Sequence, residues 1–152
     1  MNHIKRFLLL VSLSICAYSQ EFVIDNAIPK FSLANQFDEK RTIDSSIETI
    51  VVSFEKDTGK EVNQFLEEKK PLFLKNHHAI FIANISGMPM IITKMFALPK
   101  MKNYKHEILL IYDEKDDRFR AKDGKSTLYR LENGVIKSIE FISKDDLEKV
   151  FL

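Results

Sequence analysis

A chain of 152 residues carrying 23 Lys+Arg against 22 Asp+Glu is long enough for one domain with a proper core, and it is almost neutral. That balance gives no electrostatic ground for nucleic acid or an anionic membrane as partner. A single cysteine, Cys16, excludes an intramolecular disulfide framework, and twelve Phe with no Trp make the core aromatic-rich.

The chain opens on a targeting pattern. Lys5 and Arg6 precede the apolar run 7–15 (FLLLVSLSI), which has the length of a signal-peptide core and is too short to span a bilayer. Ala17-Tyr18-Ser19 puts small residues at the −3 and −1 positions of a cleavage site after Ser19. The expectation is a signal peptide over 1–19 and one domain over 20–152, periplasmic or secreted, with no transmembrane segment in the mature chain. Leu13-Ser14-Ile15-Cys16 loosely matches a lipoprotein box, but Ile15 stands where Gly, Ala or Ser is usual. Cleaved after Ser19, the chain has no thiol. It then lives in an oxidising compartment without disulfides, held by its core alone.

After a lead-in over 20–28, Phe31–Leu33 and Arg41–Ile43 read as a small hairpin around the turn-prone 35–39. Thr49–Glu55 is a near-continuous apolar run, as in a strand covered on both faces. Thr58–Lys70 reads as a helix. Thr58-x-x-Glu61 is its capping box, Val62, Phe65 and Leu66 its buried face, and the Lys69 stem covers apolar surface. Pro71 ends it, and Leu72–His78 adds a short turn. Ala79–Ile85 and Glu107–Tyr112 are two more buried strands. Between them Met88–Tyr104 is partly helical, with Ile91, Ile92, Met95 and Phe96 on one face and Met95 assigned to the core. A polar connection follows, with a short helix around Arg118–Lys122. Thr127–Leu131 and Val135–Phe141 form a hairpin on Asn133-Gly134, a type I′ signal. Ser143 caps a last helix, with Asp145 and Asp146 in its first turn.

This order predicts an α/β domain with a mixed sheet covered on both faces. Four stretches carry a resemblance. Ala27-Ile28-Pro29-Lys30-Phe31-Ser32-Leu33 is similar to an opening "aPdFtL". The hairpin 35–43 is similar to "d-x-G-x-x-v", with Glu39 in place of the Gly. Ile111-Tyr112-Asp113 and the residues after it resemble "D-x-d-g-x-x-a-x-x-y". Ser126–Val135 (STLYRLENGV) resembles "P-T-t-f-l-i-d-x-d-G". Together they resemble the thioredoxin superfamily, in its peroxiredoxin and TlpA branch with YtfJ-like periplasmic proteins. The resemblance implies a thioredoxin-like fold, with a mixed central β-sheet flanked by helices and an N-terminal β-hairpin. It lays Gly59-Lys60-Glu61-Val62 over the family's Cys-x-x-Cys, and Ser126, before Thr127, over its cis-proline. Thiol exchange needs a thiolate, which these folds stabilise at a helix N-terminus. Dithiol oxidoreductase or peroxidase activity is therefore not expected, and no cofactor is implied.

The remaining clusters have bland and functional readings. Glu55, Asp57 and Glu61 read first as a solvated loop and helix cap, and otherwise as a cation or acid-base site. Met88, Met90, Met95 and Met101, with His106 beyond, read as packing or an adaptable surface, and otherwise as a Cu(I) site. His77-His78 read as a helix end. Lys94, Lys100, Lys102 and Lys105 read as a solvated face, or as docking for an acidic partner. Phe96–Pro99 is a candidate exposed apolar patch. The function expected is a redox-inactive binding or accessory protein holding another periplasmic protein or peptide. It would use the degenerate site (Glu55, Asp57, Thr58, Gly59, Lys60, Glu61, Val62, Ser126, Thr127) or the segment 88–102. The alternative is a metal carrier using Met88, Met90, Met101 and His106, and a third reading is an enzyme using Asp57 or Glu61.

Overall fold

Seven strands, β1 (Phe31–Asn35), β2 (Lys40–Ile43), β3 (Thr49–Ser53), β4 (Ala79–Asn84), β5 (Leu109–Ile111), β6 (Ser126–Glu132) and β7 (Val135–Ile142), join in one sheet ordered β2-β1-β5-β4-β3-β6-β7. The structure is a computed structural model and describes residues 20–152; the expected signal peptide and Cys16 lie outside them. β3, β4 and β5 run parallel, while β1 on one side and β6 on the other pair antiparallel to them, so the sheet is mixed.

Every residue of β3 is buried. Val51 enters one core layer, and Ile50 and Val52 enter the other. Alternation with apolar side chains on both faces is what the continuous run over 49–54 requires. On the Val51 face lie α1 (Lys56–Glu67), α2 (Phe73–Asn76) and α5 (Leu147–Val150), which bury Val62, Phe65, Leu66, Leu74, Leu147 and Val150. Lys69 behaves as its sequence position predicts: its Nζ sits 4.4 Å above the Phe65 ring and 2.7 Å from Glu148.

No helix covers the opposite face among the described residues. The lead-in and the 113–125 connection close it, through a cluster of Phe22, Phe31, Phe119 and Tyr129 with ring centroids 5.0–6.4 Å apart. The helix expected around Arg118–Lys122 is absent because other segments use its backbone groups. Phe22 N donates to Arg118 O, Arg120 N donates to the Tyr129 hydroxyl, and Arg120 O accepts from Thr127 Oγ1. The Asn133-Gly134 turn forms as expected, with both φ angles positive. Ser143 caps a 3₁₀ turn, Lys144–Asp146, that leads into α5.

Candidate functional site

α1 starts earlier than its sequence pattern suggests. Glu55, not Thr58, is the N-cap, and the capping box is Glu55 with Thr58 rather than Thr58 with Glu61. The Glu55 amide donates to Thr58 Oγ1 at 3.4 Å, and Glu55 Oε1 accepts from Gly124 N at 2.9 Å, tying the helix mouth to the 113–125 connection. The shift puts Lys56 and Asp57 at the first two helical positions. Gly59 lies one turn in, where an added Cβ would stand 3.1 Å from Ser53 Oγ. A side chain here would require the Ser53 hydroxyl to give way by a few tenths of an ångström, so glycine lets α1 settle closely on the end of β3.

Opposite that mouth, residues 90–101 form one continuous helical stretch: α3 (Met90–Ile92), a π turn (Thr93–Ala97) and α4 (Leu98–Met101). Pro99 cannot donate to Met95 O, and the residue just before it, Leu98, donates its N–H back five residues to Thr93 O. Thr93 is the buried residue of the turn, with its Oγ1 on Pro89 O at 3.2 Å. Leu98, Met101 and Tyr104 pack on the core. The apolar face expected to bury Met95 instead faces solvent: Ile91, Met95 and Phe96 are 64%, 62% and 63% exposed, and Met90 and Ile92 are exposed with them. Thr93 and the C-terminal half of the stretch take the inward positions, so the large side chains of the first half point away from the core.

A cleft of about 800 Å³ lies between the two elements. α1 lends it Lys56, Gly59, Lys60 and Asn63, and the helical stretch lends Ile92, Phe96, Lys100 and Met101. Among the described residues no carboxylate lies within ion-pair distance of Lys56, Lys60 or Lys100. Glu55 is the one acidic residue in the lining, and its Oε1 is on Gly124 N. Behind Asn63 stands buried His106. Its Nε2 lies 2.8 Å from Asn63 Oδ1, and its ring stacks on Tyr104. Its Nδ1 is 3.4 Å from Glu67 Oε1, too poorly aligned for a hydrogen bond. Burial holds the imidazole below its ordinary range, and the Glu67 carboxylate opposes this more weakly.

Among solved structures the chain is similar to peroxidoxin BcpB from Mycobacterium tuberculosis, at 15% identity, 86% of this chain, 95% of that one and a TM-score of 0.56. It is similar to a putative thiol:disulfide interchange protein DsbE from Chlorobium tepidum, at 13% identity, 86% and 96% coverage and a TM-score of 0.54. It is also similar to a peroxiredoxin-like protein from Aquifex aeolicus, at 9% identity, 88% coverage of each chain and a TM-score of 0.53. The fold is thioredoxin-like. No protein-family model and no curated protein matches the chain, so the likeness speaks to fold alone.

Within this thioredoxin-like domain the sequence-derived site divides. Glu55, Gly59 and Lys60 line the cleft. Thr58 and Val62 are buried on the inner side of α1; Asp57 and Glu61 are outside the lining. Ser126 and Thr127 are buried in β6 and do not reach the cleft; the Thr127 hydroxyl is spent on Arg120 O at 2.6 Å. Of the metal candidates, Met88 and Met101 line the cleft, Met90 is exposed outside it, and His106 is enclosed behind it. No group of three or more His, Cys, Asp or Glu among the described residues is placed to hold a metal ion. His77 is structural: its Nδ1 is 2.7 Å from Phe73 O and its ring lies against Phe73 and Phe151. Ile92 and Phe96, within the segment 88–102 singled out in the sequence, also line the cleft, while Lys56 and Asn63 are cleft residues that the sequence pattern did not single out. For Lys56 the signal was present, since Lys56 and Lys60 are four apart and share a helix face.

Proposed function

We propose that this is an exported, periplasmic protein that uses the thioredoxin-like scaffold without thiol chemistry, as a binding or accessory protein whose α1 cleft holds another protein or peptide. The observation that carries this reading is the solvent-facing set Ile91, Ile92, Met95 and Phe96 beside a cleft whose helix mouth has no cysteine. Contiguous apolar surface of this kind marks an interaction site. Export is supported by the Lys5-Arg6, 7–15 and Ala17-Tyr18-Ser19 pattern. The Cu(I)-carrier alternative has less support, since Met90 and His106 stand apart from the Met88–Met101 pair in the cleft.

Site-specific photocrosslinking in the producing cell tests the reading. A probe replacing Phe96 should give a discrete protein adduct, while one replacing Phe141, exposed on β7, should not. The purified protein should neither reduce insulin nor turn over peroxide. Equal adduct patterns from both probes, or redox turnover, would overturn it.

A further inference from the structure

Resting on the binding role just proposed, we infer that the occupant of the cleft is an extended acidic-apolar peptide segment of a partner protein: apolar side chains against Ile92 and Phe96, and carboxylates against Lys56, Lys60 and Lys100.

The charge of the α1 mouth is the starting point. A helix N-terminus favours acidic residues, because the unpaired amides and the macrodipole give it positive character. α1 places Lys56 at its first position and Lys60 one turn later, on the same face. Lys56 opposes the dipole and the two ammonium groups repel each other, although the Glu55 carboxylate at the N-cap and Asp57 in the first turn already supply the acidic groups that a helix start favours. Across the cleft Lys100 adds a third ammonium, and the only lining carboxylate, Glu55, already accepts from Gly124 N. Three ammonium groups lining one cleft, with no carboxylate among the described residues within ion-pair distance of any of them, make the cleft a surface complementary to negative charge. A carboxylate entering the cleft would pair with the lysines.

The wall opposite is apolar and faces the same space. The helical stretch buries Thr93 and presents Ile92 and Phe96 to the cleft, with Ile91 and Met95 on the crest beside it. Apolar and cationic groups on facing walls of an open cleft select an extended chain that alternates the complementary types. Two other occupants fit less well. A second copy docked about a two-fold axis would bring Lys94 and Lys100 towards their own counterparts. A membrane surface would meet Ile91 and Met95 on the crest but could not follow Ile92 and Phe96 into a concavity.

The test uses a fluorescein-labelled peptide alternating Leu or Phe with Glu, and matched peptides with Gln or Lys in place of Glu. The Glu peptide should bind the purified protein about tenfold tighter than the Gln peptide, and the Lys peptide should bind weakest. The Lys56→Gln, Lys60→Gln double variant should abolish that preference while its melting temperature holds, since both side chains are exposed. High salt should erase the difference between Glu and Gln peptides. Equal binding of Glu and Gln peptides, unchanged selectivity in the double variant, sedimentation with equimolar phosphatidylcholine-phosphatidylglycerol vesicles in place of peptide binding, or a dimer that Phe96→Asp dissolves would each overturn the inference. If the Phe96 crosslink persists while charge selectivity fails, the binding role stands and only the acidic assignment falls; if both fail, both fall.

Discussion

α1 and the helical stretch 90–101 have similar lengths and similar apolar periodicity, yet opposite burial. α1 turns Val62, Phe65 and Leu66 into the core and leaves Lys56, Asp57 and Lys60 in solvent. The 90–101 stretch turns Thr93 inward and leaves Ile91, Ile92, Met95 and Phe96 outside. The contrast teaches that an apolar stripe reports affinity for a nonpolar surface, without saying whether the molecule itself supplies that surface. Where the core is already closed, the stripe stays in solvent.

The largest expected effect breaks or keeps this contrast outright. Phe65→Ala removes a ring stacked on Phe151 and edge-on to Phe73, and should cost about 3–5 kcal/mol in urea unfolding. Phe96→Ala, the same truncation on the exposed stripe, should change stability by less than about 0.5 kcal/mol. Similar losses at both positions would mean that the stretch is core after all.

The face without a helix sharpens the picture by showing what closes a sheet when coil does the work. Tyr129 is fully buried there, and its hydroxyl accepts from Arg120 N at 2.7 Å. Tyr129→Phe should cost about 1–3 kcal/mol by leaving that amide without its partner. Burial pushes the Tyr129 phenol up to about 12. A raised folded value means its contribution is complete below the unfolded value near 10 and is lost as pH climbs towards 12. Alkaline titration of unfolding should show that loss in the native chain and a smaller one in Tyr129→Phe.

A smaller effect belongs to His106, on the α1 side. Its folded pKa is lowered, so the native state resists protonating it. Stability should be intact above the ordinary value near 6.5 and erode as pH falls below it, towards the lowered native value. Unfolding followed from neutral to mildly acidic pH should give a slope that His106→Gln flattens. An unchanged slope would assign the acid sensitivity elsewhere. A small gain is expected at the helix mouth, where Lys56→Glu should stabilise by about 0.3–1 kcal/mol, read as a higher urea midpoint.

The strands and the hairpin turn were legible in the sequence because their signals are local. β3 and β4 announce themselves by unbroken β-branched and aromatic runs, and Asn133-Gly134 by its turn chemistry. The misreadings share one cause, which is that tertiary partners decide between local options. Thr58 and Glu61 satisfy the spacing of a capping box, but Glu55 wins because Gly124 N holds its carboxylate. The 118–122 segment loses its helix to long-range bonds from Phe22, Tyr129 and Thr127. Two halves of the candidate site, the α1 mouth and the Met-rich stretch, stood apart in sequence as alternatives. The crossover from β4 to β5 brings them face to face as the walls of one cleft. Ser126 was placed beside them by family resemblance, and its position within β6 keeps it out.

The most direct measurement joins stability and binding in one variant. Ile92→Asp combined with Phe96→Asp puts two charges on the stripe without touching the core. If the stripe is a partner's docking surface, this variant unfolds at the same urea concentration as the native chain and loses the crosslinked adduct reported by a probe at Met95. Unfolding at markedly lower urea, or an adduct that survives both charges, would contradict it.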